Sequence, residues 1–212
     1  MLILTAAQNV LASNPDASMD DIAEAANMVR RTVYGHFPTR QDLIAAVVEV
    51  GAQELIEHVG DIDVRAEDAV MEMARLVLRT WGTAKRFGPV IDIARRNAVD
   101  AMYAAMEPFN MVVADLIRHG QTQGSFQSSV DADVLAHLLH ACAMTFLAAQ
   151  QRGTWAGDET DVAYSQLLSL GAPAALARAA VDQAAASHAA QASDEASAPC
   201  HVRPSTNAAA SH

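Results

Sequence analysis

Residues 30–37 of this 212-residue chain read RRTVYGHF. Arg30, Arg31, Thr32, Tyr34 and His36 each carry a group able to bond an anion or a base edge. An arginine fork meets guanine or phosphate at two points, a threonine methyl can touch a thymine methyl, and tyrosine and histidine donate to phosphate oxygens. On a helix these five cannot share one face. Val33 and Phe37, four residues apart, take the buried side, and the polar groups spread over the rest. Gly35 either lets the backbone approach a ligand closely or ends a very short helix. The formal charge of the whole chain is −11, yet residues 28–40 contain Arg30, Arg31 and Arg40 and no acid. A basic spot on an acidic body is still steered to a polyanion, and the body discourages loose contacts elsewhere.

Other reactive groups point to less. No GxSxG, P-loop, HExxH or GxGxxG sequence occurs, and no Ser, His and acid are arranged on a recognisable scaffold, so neither an enzyme nor a bound cofactor is expected. His137 and His140 are three apart on a helix, but Cys142 points off that face and no carboxylate completes a ligand set, so no metal is expected. Cys142 lies in an apolar run and Cys200 in a polar stretch, which argues against a disulfide framework and suits a reducing cytoplasm. No run approaches the ~18 apolar residues of a membrane span, and no signal peptide opens the chain. The expectation is a cytoplasmic protein without a membrane partner.

The elements that must position the basic stretch are legible as periodicity. Ile3, Ala6, Ala7, Val10 and Leu11 keep the spacing of one helical face over residues 3–13. Ser18, with Asp21 three residues on, caps a second helix whose inner face is Ile22, Ala23 and Ala26. After a break at Asn27 and Met28, RRTVYGHF forms a third. Thr39 and Asp42 then open a fourth, reaching about residue 59. GDIDVRAED, residues 60–68, reads as a junction. Helical patterns follow over about 67–82, 84–99, 108–123, 131–151 and 160–183, with breaks at Gly82, at Glu107–Pro108, over 120–129 and 153–158, and an interruption at Gly171 and Pro173. Hydrophobic residues make up 51% of the chain but aromatics only 5%, and no segment alternates at period 2, so the fold expected is all-α. From residue 184 the only large aliphatic is Val202, a composition that predicts disorder.

Ile3, Leu4, Ala6, Ala7, then Ser18, Ile22, Ala23, Ala26, then Thr32, Tyr34, His36, Phe37, and then Arg40 and Leu43 resemble, in order, the N-terminal DNA-binding domain of the TetR family of bacterial transcriptional regulators. The resemblance implies a three-helix helix-turn-helix domain followed by a larger helical ligand-binding and dimerisation domain, divided as 1–47, 48–183 and an Ala/Ser-rich tail at 184–212. It implies that Arg30, Arg31 and Thr32 meet base edges or nearby phosphates, that Tyr34 and His36 contact the backbone, and that Ser18, Thr39 and Arg40 bring phosphates to two helix N-termini. Two departures stand out. Asn27 replaces the usual turn glycine, which asparagine tolerates because it enters the left-handed region readily. Val29 replaces the usual capping serine and cannot cap, weakening that helix start by ~1 kcal/mol. The first helix also begins close to the chain start, where an additional, often basic, segment is expected.

For the larger domain the resemblance implies a homodimer and a small-molecule effector. In residues 134–149, Leu135, Leu138, Leu139, Cys142 and Phe146 form one apolar stripe, and Val134, Ala141, Thr145 and Ala148 a second of small residues. A helix apolar on two sides needs two neighbours, its own core and a partner. Leu138, Cys142, Thr145, Phe146 and, from residues 164–171, Leu167 are the expected interface. Met73, Trp81, Tyr103, Met106 and Phe109 are the expected effector contacts, since methionine suits a cavity that accepts varied apolar shapes. Asp92, Arg95, Arg96, Asn97 and Asp100 could add polar specificity, but a solvated face is the reading preferred. The function expected is a ligand-responsive repressor, binding a palindromic double-stranded DNA operator as a homodimer and released by a small apolar or amphipathic effector. The alternative is a dimeric small-molecule-binding module whose DNA binding is weakened by a truncated N-terminus.

Overall fold

The computed structural model describes residues 2–60 and 62–197, and among these nine helices and no strand are found. They are α1 (Leu2–Ser13), α2 (Met19–Ala25), α3 (Arg30–His36), α4 (Arg40–Val59), α5 (Ala69–Asn97), α6 (Val99–Gln123), α7 (Ala132–Gln151), α8 (Glu159–Ser169) and α9 (Ala174–Ser197). The all-α architecture follows from the composition: Ala, Leu, Met and Val at helical spacing, with little that favours a pleated surface.

The first three helices close over Leu11, Ile22 and Val33, all fully buried, together with Leu43, Ile44 and Val47 of α4. This core does not stop at the helix-turn-helix. It continues without a gap into Phe87, Val90, Ile93 and Ala94 of α5 and Met102 of α6. α4 likewise runs unbroken across residue 47, and at Gly51 it lies so close to α5 that an added Cβ would sit 2.8 Å from the Phe87 ring. Only glycine permits that approach.

Around a second core α5 packs against α4, α6, α8 and α9. Two expected breaks are absent. α5 passes through Gly82, whose neighbours Trp81 and Thr83 are both buried, so packing outweighs the ~1 kcal/mol that a mid-helix glycine costs. Pro108 does not open a helix but lies inside α6, which begins at Val99. The expected interruption at Gly171 is present, with a φ of 83° between α8 and α9. α9 then extends to Ser197, into the stretch predicted to lack order; its buried face against the core is Ala177, Ala180, Val181 and Ala184, and residues 186–191 are exposed. The rest of the expected tail, with Cys200, lies outside the described residues.

One reading of hydropathy needs correction. By length and mean hydropathy α7 is apolar enough to cross a membrane. Its alanines raise the average without forming an apolar run, and Leu135, Ala136, Leu139 and Leu147 face the protein's own core.

Candidate nucleic-acid interface and internal cavity

α2 and α3 form the expected angle-and-turn pair, and the turn works as the sequence implies. Asn27 adopts a φ of 53°, the left-handed conformation that a glycine would otherwise supply. Ser18 accepts from the Asp21 backbone N–H while the Asp21 carboxylate accepts from the Ser18 N–H and hydroxyl. Those bonds, backbone first, hold the Asp21 carboxyl below its ordinary range. Thr39 and Asp42 repeat the box at α4. Each N-terminus therefore already holds a carboxylate, which competes with any phosphate for the same N–H groups. Val29 begins α3 with no side-chain cap.

Val33 is fully buried and Phe37 half-buried, which turns Arg30, Arg31, Thr32, Tyr34 and His36 outward, all exposed. A Cβ at Gly35 would meet nothing, so the protein's own packing does not require glycine there. The arginines differ sharply. Arg30 pairs with Asp20 of α2. Arg40 is half-buried, its guanidinium donating to the backbone carbonyls of Ala17 and Pro15, so it ties α4 to the loop before α2 instead of standing free for phosphate. Among the described residues Arg31 is the cation of α3 that makes no ion pair.

Inside the larger helical body is a cavity of about 60 Å³. Leu55 of α4 forms part of its wall, with Met73, Thr80 and Trp81 of α5, Met106, Phe109 and Asn110 of α6, Leu139, His140 and Met144 of α7, and Val162 and Gln166 of α8. Four of the five residues expected there, Met73, Trp81, Met106 and Phe109, do line it. Tyr103 does not: it is 52% exposed, because in the first turns of α6 only Met102, Ala105 and Met106 are covered. Sequence reasoning missed Leu55, Asn110, His140 and Gln166. Asn110 had a detectable signature, a polar residue on the apolar row Met106, Val113, Ile117. Arg95 and Arg96 both pair with Asp92 at the surface, away from this wall.

His140 is pushed below the ordinary histidine range by burial first and by His137 second, so at neutral pH the imidazole is uncharged. Burial raises the Cys142 thiol, which keeps it protonated. Among the described residues no three His, Cys, Asp or Glu side chains are grouped to hold a metal ion.

The residues expected at a dimer interface divide. Leu138 is 48% exposed, in line with Val134, Ala141 and Thr145, while Cys142 and Phe146 are half-buried, Phe146 against Trp155 at 4.9 Å. Leu167 is fully buried in the chain's own core, and the exposed leucine of α8 is Leu168, one residue on and turned outward.

Residues 3–47 match the family model for bacterial regulatory proteins of the tetR family. Comparison with curated protein sequences gives no match. Solved structures with the same fold include the regulator FadR from Bacillus subtilis in complex with stearoyl-CoA (TM-score 0.69, 15% identity, covering 80% of this chain and 97% of that one). They include the TetR-family regulator PfmR from Thermus thermophilus (0.64, 14%, 80% and 97%). RolR in complex with resorcinol is a third (0.55, 21%, 84% and 90%). The helix-turn-helix at residues 3–47 thus matches the tetR family model in sequence, and over most of its length the chain shares its fold with these solved regulators.

Proposed function

We propose that the chain is a ligand-responsive repressor: a homodimer that places two α3 helices about one DNA turn apart on a palindromic operator and lets go when a small apolar or amphipathic effector enters the cavity. The observation that carries this reading is α4. Its first turn, at Thr39 and Arg40, buttresses the helix-turn-helix, and Leu55 on the same helix is part of the cavity wall. An effector that prefers one placement of Leu55 thereby prefers one placement of the DNA-contacting helices. Resorcinol in RolR and stearoyl-CoA in FadR support a small-molecule effector in general. The exposed row Val134, Leu138, Ala141 and Thr145 on α7, together with the exposed Leu168 of α8, supports the dimer, with the division at 1–47 and 48–183 as its working plan. The chain is not proposed to catalyse a reaction.

In this reading Arg31, Thr32 and Tyr34 read or grip DNA directly, and Arg30 joins them by leaving Asp20. Fluorescence anisotropy on duplex DNA from upstream of the gene, at several salt concentrations, tests it. Tight binding that weakens steeply with salt is expected, lost in Arg31→Ala and Tyr34→Ala. The uncapped Val29 and the internally bonded Arg40 favour one other reading, a ligand-binding dimer with little DNA affinity. Binding no tighter than to scrambled DNA would select it.

A further inference from the structure

Two polar atoms are buried in the cavity wall without a hydrogen-bond partner: the indole Nε1 of Trp81 and the amide Oδ1 of Asn110. The residues are 2% and 4% exposed, so bulk solvent does not satisfy them. Buried donors and acceptors are nearly always paired, so unpaired ones on two residues that line a cavity call for a partner, and a ligand atom can supply it. One of these is a donor and the other an acceptor, on two different helices whose residues line the same cavity. The remaining polar groups of the wall are engaged or uncharged. Thr80 donates to the Leu76 carbonyl, Gln166 donates to the Leu139 carbonyl, and the His140 imidazole is neutral. Among the described residues no Arg, Lys, Asp or Glu reaches the wall.

We infer that the effector is a small uncharged molecule whose hydroxyl accepts from Trp81 Nε1 and donates to Asn110 Oδ1. This rests on the cavity being the effector site. A hydroxyl is the smallest group that does both, and it serves equally well if the Asn110 amide is turned end for end. A purely hydrocarbon ligand leaves both atoms unpaired. A carboxylate or phosphoryl group finds no cation to meet it, and an unpaired buried ion is far more costly than a buried hydroxyl. The cavity is smaller than the roughly 150 Å³ that admits a benzene, so uptake must widen it. Met73, Met106 and Met144 are the unbranched, rotatable wall residues able to give way.

Isothermal titration calorimetry of the full chain with phenol, toluene and benzoate tests this, with DNA anisotropy run alongside. Phenol is expected to bind on the order of 10²-fold tighter than toluene, and benzoate to give no binding. Asn110→Leu removes the acceptor at similar volume, and Trp81→Phe removes the donor and keeps a ring. Each should cut the preference for phenol about tenfold. Asn110→Leu should also raise the ligand-free melting temperature, because it deletes an unpartnered buried atom. Toluene matching phenol, benzoate binding best, no probe binding, a preference unchanged in both variants, or a lowered melting temperature in Asn110→Leu each overturn the assignment. Operator binding without any response to phenol would leave the repressor reading standing. Phenol binding without operator binding would do the reverse.

Discussion

The helix-turn-helix and the cavity differ in how most of their polar groups are partnered, although Gln8 Nε2 and Asp20 Oδ1 at the first end also lack a partner within the chain. At the helix-turn-helix end, Ser18, Thr39, Asp21, Asp42, Arg30 and Arg40 all find partners within the chain, although most of them sit in water. In the wall of the cavity, the buried Trp81 Nε1 and Asn110 Oδ1 have no partner within the chain. Exposed pairs are nearly isoenergetic with their hydrated forms, so they can be exchanged for phosphates at little cost. Buried groups have no such alternative, and their lack of a partner is a strong preference for whatever supplies one. One region is therefore suited to reversible contact with a long uniform polymer, and the other to choosing among small molecules.

The contrast assumes that the two regions share one folding unit, and the largest expected effect tests that. Leu11→Ala should cost about 2–5 kcal/mol in urea unfolding, in a single transition that α5 and α6 follow, since the core is continuous through Phe87 and Met102. Two separate transitions would break the comparison by making the regions independent. Gly51→Ala should cost about 1–3 kcal/mol, because its Cβ would sit 2.8 Å from the Phe87 ring, and Phe87→Leu should recover part of the loss.

The next test is by pH. His140 binds its proton more weakly folded than unfolded, so its contribution is complete above pH 6.5, the ordinary value, and is lost as pH falls below it. The slope should approach but not exceed about 1.4 kcal/mol per pH unit until the folded group itself titrates. His140→Leu should flatten the profile. Arg40→Ala should lose about 1 kcal/mol of stability with its two carbonyl bonds, whereas Arg31→Ala should leave the unfolding midpoint unchanged and affect DNA alone. The smallest effect is expected from Asp20→Asn, which frees Arg30 and should tighten DNA binding a few-fold at low salt.

How much of this was legible depends on the range of the interaction. The capping boxes at Ser18 and Thr39, the left-handed Asn27 and the inward Val33 are settled within four residues, and the sequence displays them directly. The cavity is assembled by five helices, from Leu55 to Gln166, and only its bulky apolar members showed as candidates. Tyr103 and Leu167 failed for a common reason. Helical spacing says which residues share a face, but not where a neighbouring helix ends or which neighbour covers that face. Gly82 and Pro108 misled because local propensity was outweighed by packing along α5 and α6.

The contact of Gly51 with Phe87 has a mechanical meaning. It is a point where α4 bears closely on α5, and it divides the helix unequally. Leu55 lies one turn away, about 6 Å along the axis, and Thr39 about 18 Å in the other direction. A stiff rod rocking on that bearing moves its long arm roughly three times as far as its short one. If the proposed effector shifts Leu55 by ~1 Å, the helix start under α3 moves by ~3 Å, close to the rise of one base pair along DNA.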